Sequence, residues 1–130
     1  MTLNLEWRHR LDNWRRVLPR QLYTPLGAVE WSGFITDESL SLAEAQARGV
    51  WPLPEGTRWG AKWECGWFSG RVTVPPEAAG RRFVLGVDVG AESAVYVNGV
   101  AAGGIDRHHS HITLAREAVP GETYDIWVEA

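Results

Sequence analysis

Val95-Tyr96-Val97-Asn98-Gly99-Val100-Ala101 is the stretch on which the fold turns. Val95 and Val97 alternate with Tyr96, the period of a strand, and Asn98-Gly99 favours a type I′ hairpin, whose two central residues both need positive φ. Val100-Ala101 returns as the partner strand. The same alternation recurs on either side. Upstream, Trp63 to Val74 sets Phe68, Val72 and Val74 on one face and Trp63, Cys65 and Trp67 on the other; Pro75-Pro76 ends it, and Phe83, Leu85 and Val87 form the next run. Downstream come Ile112 and Leu114, then a Pro120-Gly121 turn, then Tyr124, Ile126 and Val128. Five or more short strands, with turn signals about every ten residues, predict a mainly β fold built as an antiparallel β-sandwich or jelly roll. No helix-period segments separate these strands, which argues against a parallel α/β sheet.

The first half of the chain reads differently. Trp7, Leu11, Trp14 and Leu18 recur at helical spacing, Val17 widens the stripe, and Arg8, Arg15 and Arg16 lie mostly off it, which predicts an amphipathic helix over residues 3–18. Thr2 and Asn4 are candidate N-caps, and Pro19 is expected to stop the helix. Residues 20–38 hold Pro25, Gly27 and Gly33 and predict an irregular segment with one short strand around Ala28 to Trp31. Ser41 to Glu44 has capping-box spacing before an Ala-rich stretch, with Gly49 placed for a left-handed cap, so a second, short helix follows. Trp51 to Gly60, with two Pro and two Gly, reads as a loop. The resulting division is an N-terminal helix, 1–20, and a β-sandwich domain, 21–130. The chain stops at Glu129-Ala130 directly after a strongly alternating strand, and is expected to be the N-terminal fragment of a longer polypeptide.

Composition narrows the function. The chain has 130 residues, enough for one core, with 45% hydrophobic and 22% charged residues. Its 13 Lys+Arg against 16 Asp+Glu give a net charge of −3, so no nucleic-acid or membrane partner is expected. Five Arg and two acids fall in the first twenty residues, leaving 8 − 14 = −6 for the rest. One cysteine, Cys65, fits a reducing compartment, and no apolar run is long enough to span a bilayer or serve as a secretory leader, so a cytoplasmic location is expected.

Candidate chemistry is sparse. Asp106-Arg-His-His-Ser-His111 gathers three His and one Asp, and on a strand His109 and His111 would share a face as metal ligands. A polar loop leading into the Ile112 strand is the plainer reading, and no metal residue is assigned. Glu64, Asp88 and Asp106 are the carboxylates best placed for glycosidase chemistry, but sixteen acids make such placements common by chance. No G-x-S-x-G elbow and no phosphate-binding glycine loop is present, since Gly99-x-x-x-Gly103-Gly104 lacks the Lys-Ser/Thr ending. No catalytic residue is assigned. Tryptophan is the informative excess: eight in all, with Trp51, Trp59, Trp63 and Trp67 inside seventeen residues. Together with Asp106 and His109 they are the candidate contacts, either for sugar rings or for a neighbouring domain. Left bare, Trp7/Trp14 or Trp63/Trp67 would drive homo-oligomer formation.

Over Trp59-Gly-x-Lys-Trp-Glu-Cys-Gly-Trp-Phe-Ser-Gly-Arg-Val-Thr-Val-Pro75, Phe83-Val-Leu-Gly-Val-Asp-Val-Gly-Ala-Glu92, Val95-Tyr-Val-Asn-Gly-Val-Ala-Ala-Gly-Gly-Ile-Asp106 and Pro120-Gly-Glu-Thr-Tyr-Asp-Ile-x-Val-Glu-Ala130, the chain resembles the N-terminal domain of bacterial α-mannosidases of glycoside hydrolase family 38. The resemblance includes the arginine-rich leading helix. It implies a galactose-binding-like β-jelly roll that precedes, and packs on, a zinc-dependent catalytic domain of the same polypeptide, in carbohydrate metabolism. It also implies mannose-containing glycans as the ligand class should this domain bind sugar itself. The family's zinc motif resembles His-x-His-x-Asp followed by Trp; here His109-Ser-His111-Ile-Thr113-Leu-Ala-Arg116 has Thr113 for the Asp and Arg116 for the Trp. No zinc ligand is therefore carried over, and zinc is expected in the absent catalytic domain.

Overall fold

The computed structural model describes residues 5–130. Among the described residues, eight strands form two antiparallel sheets. The larger contains β1 (Ser32–Thr36), β2 (Trp51–Pro52), β3 (Cys65–Thr73), β5 (Ser93–Val97), β6 (Val100–Ile105) and β8 (Thr123–Glu129), in the order β2-β1-β3-β8-β5-β6. The smaller pairs β4 (Phe83–Gly86) with β7 (His111–Ala115). Two helices accompany them, α1 (Leu5–Gln21) and α2 (Leu42–Gln46), with one 3₁₀ turn at Pro76–Ala78. Among the described residues, no helix is long and apolar enough to cross a membrane.

The core follows from the period of two. Phe68, Val95, Ile105, Ile126 and Val128 of the large sheet meet Leu85, Val87 and Ile112 in one buried cluster between the sheets. The opposite face of the large sheet is buried too. There Trp67, fully enclosed, packs with Phe34 and with Ala45 of α2, flanked by Tyr96 and Trp127. α2 covers this face, and its capping box is formed: the Ser41 hydroxyl accepts from the Glu44 N–H at 3.3 Å, while the Glu44 carboxylate accepts from the Ser41 N–H at 2.7 Å.

The hairpin is as the sequence dictates. Asn98 and Gly99 have φ of 50° and 81°, and the Asn98 side-chain oxygen accepts from the Asp125 N–H at 2.9 Å, tying the turn to β8. Gly99→Val should therefore destabilise the domain by about 1 kcal/mol or more, because a β-branched residue is strained in the left-handed region. An unchanged melting temperature would contradict this.

Several boundaries depart from the sequence pattern. α1 runs through Pro19 to Gln21; a proline in the last turn costs one backbone bond and does not prevent the turn from closing. The candidate caps Thr2 and Asn4 lie outside the described residues. The first strand begins at Ser32, just past the Ala28–Trp31 stretch, because the ladder with β3 starts at Ser32 opposite Ser69. Trp51 and Pro52, expected in a loop, pair with Gly33 and Ser32 as an edge strand. Gly49 is not left-handed, since α2 ends at Gln46 and is capped by Ala47, whose N–H donates to the Ala43 carbonyl at 3.1 Å. Trp63 lies outside β3, in a turn.

Candidate functional site at one end of the sandwich

Loops from four parts of the chain meet beside the end of β8. They frame two broad, open hollows of about 580 and 760 Å³ that adjoin at Ala130. The first is lined by Arg58, Trp59, Glu64 and the Val89-Gly90-Ala91 loop. The second is lined by Glu92, Ser93, Gly103, Asp106, His109 and Glu129. The fold thus brings Trp59, Asp106 and His109 to one end of the molecule. Trp51 and Trp63 line neither hollow, and Trp67 is fully buried with no surface to offer a sugar or a partner, which corrects its place among the candidate contacts. A joint Trp63/Trp67 face does not form, because Trp63 has left the strand.

Each aromatic has a distinct setting. The Trp59 indole N–H donates to the Val89 carbonyl at 3.1 Å and its ring meets Phe68 edge-on, which anchors the rim of the first hollow to the core. Trp63 is 79% exposed and has a φ of 69°. A non-glycine residue there costs on the order of 1 kcal/mol, and here the turn imposes it. The Glu64 carboxylate accepts from the N–H groups of Gly60 and Ala61 at 3.2 and 2.7 Å, while the Glu64 N–H donates to the Ala61 carbonyl. Lys62 lies over the Trp63 ring at 5.4 Å. Trp51, on the edge strand, is 64% exposed.

The three carboxylates singled out for glycosidase chemistry all serve backbone turns. Glu64 closes the turn just described, and Asp88 accepts from the Gly90 N–H at 3.0 Å. Asp106 accepts from the His108 and His109 N–H groups at 2.7 and 2.8 Å, with His109 Nδ1 3.1 Å from both its carboxylate oxygens. These contacts, the His109 side chain first, hold the Asp106 carboxyl below the usual aspartate range. The Ser41 N–H, then its hydroxyl, do the same for Glu44. Both groups are depressed on folding, so their stabilisation is complete above the ordinary carboxylate range and is lost as pH falls through the lowered values. The melting temperature should drop below about pH 4, and drop less steeply in Asp106→Asn/Glu44→Gln. Parallel acid limbs for the two proteins would contradict this.

The histidines do not share a face; the segment is the polar loop leading into the Ile112 strand that the plainer reading expects. β7 starts at His111, leaving His109 in the turn and ending any shared face. His111 instead stacks on Tyr23, with ring centroids 4.2 Å apart, and Thr113 accepts from the Arg82 guanidinium at 2.8 and 3.1 Å. The His109-x-His111-x-Thr113 segment therefore does not fit a zinc site; among the described residues, no three His, Cys, Asp or Glu side chains gather as ligands. Two contacts had no local sequence signal: the Tyr23 stack, and the bond from the Tyr96 hydroxyl to Glu129 at 3.1 Å.

An antiparallel sandwich of eight strands, with loop-framed hollows at one end, is the architecture of a jelly-roll domain. The chain belongs to the family described as alpha-mannosidase, jelly roll domain, whose model matches residues 25–130, beginning just after α1. Neither curated proteins nor solved structures give a match.

Proposed function

We propose that the chain is the noncatalytic N-terminal accessory domain of a zinc-dependent α-mannosidase of glycoside hydrolase family 38, cytoplasmic and of the galactose-binding-like type, packed on the catalytic domain of the same polypeptide. The observation that carries this reading is the family membership over residues 25–130. The side chains agree with it. Glu64, Asp88 and Asp106 are engaged by backbone N–H groups as turn closers, a structural use that calls for no substrate.

A second reading is favoured by the first hollow, where the Trp59 ring lies beside Arg58 and Glu64, the mixture of flat apolar surface and polar rim that suits a pyranose. On that reading the domain is an autonomous carbohydrate-binding module for mannose-containing glycans. Titration of the isolated chain with mannose and mannobiose, followed by tryptophan fluorescence, separates the two. The accessory role predicts no saturable change. A saturable change lost in Trp59→Ala would favour the module.

A further inference from the structure

α1 is amphipathic, yet none of its residues is buried. Trp7, Leu11, Trp14 and Leu18 are each 46–64% exposed; Val17 widens the stripe, and Leu22 follows just past the end of the helix. Together they present several hundred Å² of apolar surface, approaching the ~800 Å² a side of a stable pair.

Charge decides what fits that stripe. Its 4-3-4 spacing is that of a coiled-coil seam, and in that register Arg8, Arg10 and Arg15 flank it. Two copies of α1 laid seam to seam would set these arginines against each other. α1 carries five Arg against Glu6 and Asp12, or +3, whereas residues 22–130 carry 8 − 14 = −6. The helix is therefore complementary to the sandwich and not to itself. Its own sandwich does not bury it, although the segment following α1 is tied down where Tyr23 stacks on His111.

The sandwich offers a receiving strip at β2, an edge strand where Val50 and Trp51 are exposed. The Leu53 N–H donates to the Trp31 carbonyl at 2.9 Å, so the segments bearing Glu30 and Glu55 run together beside this edge. Both carboxylates are exposed, and neither has an ion pair among the described residues.

We propose that α1 docks on the β2 edge of a second copy of this chain, reciprocally, to form a two-fold dimer with the Trp14 stripe against Trp51 and arginines facing the Glu30 and Glu55 segments. The proposal goes beyond the accessory-domain reading and does not depend on it.

Sedimentation velocity of the whole chain over a range of concentration and salt tests it. A dimer is expected that weakens as salt rises. Its dissociation constant should increase roughly tenfold or more in each of Trp14→Ser/Leu18→Ser, Trp51→Ser and Arg8→Glu/Arg15→Glu. Below the parent's dissociation constant, where dimerisation adds no stability, the helix variants should share the parent's melting temperature, because they remove no side chain buried within the chain. A monomer at every concentration would overturn the proposal. So would a dimer strengthened by Arg8→Glu/Arg15→Glu, the mark of helix-on-helix pairing, or one indifferent to Trp51→Ser. Flotation with phosphatidylcholine/phosphatidylglycerol vesicles by a chain that stays monomeric would assign the stripe to a lipid surface and overturn it equally.

Discussion

Trp67→Ala is expected to lower the unfolding free energy by about 3–5 kcal/mol, the range for deleting a large buried aromatic. The side chain is fully enclosed between the large sheet and α2, with Tyr96 and Trp127 rings each 6.3 Å away. Phe34 and Ala45 pack against it from the same cluster. Among the described residues the Trp67 indole N–H has no acceptor, so its burial has an uncompensated polar component. Trp67→Phe should consequently be far milder than Trp67→Ala. Urea unfolding of the three proteins reads both differences. A loss under about 1 kcal/mol for the alanine variant would mean that this second core is not packed as described.

Gly33→Ala should be nearly as damaging, by about 3 kcal/mol or more, although it adds one methyl group. A Cβ at position 33 would lie 2.0 Å from the Trp67 carbonyl oxygen and 2.9 Å from Leu53 Cδ1. The first of these is backbone, so no rotamer change relieves it. Gly33 faces Phe68 in one ladder and Trp51 in the other, and the strain would separate β1 from β3 and release the β2 edge. Loss of amide-exchange protection in β1 and β2, ahead of β8, is the expected signature; uniform protection with normal stability would contradict it.

What the sequence made legible was whatever depends on neighbours along the chain. Alternation marked β3 to β8, Asn98-Gly99 marked the hairpin, and Ser41-x-x-Glu44 marked α2, because strand period, turn chemistry and capping are local. What escaped it depends on distant partners. The short strand expected around Ala28 to Trp31 is set at Ser32–Thr36 by its pairing with β3, and Trp51–Pro52 is a strand only because β1 in turn offers it an edge, partners that the local pattern does not announce. Trp67 and Trp63 look alike in sequence, four residues apart. One faces the cover provided by α2, and the other is turned out by a loop whose φ no periodicity encodes. The candidate contacts divide in the same way. Trp59, Asp106 and His109 meet at one end because β3, β6 and β8 are brought together by long-range pairing, and Glu64, Asp88 and Asp106 take their roles from backbone N–H groups that composition cannot show.

The most direct test of the central claim is hydrolysis of an aryl α-mannoside by the purified chain, with and without added zinc. An accessory domain whose carboxylates close turns, and whose histidines do not gather, predicts no turnover in either condition. Zinc-dependent turnover that co-purifies with the folded chain and is abolished by Asp106→Asn would contradict the account at its root.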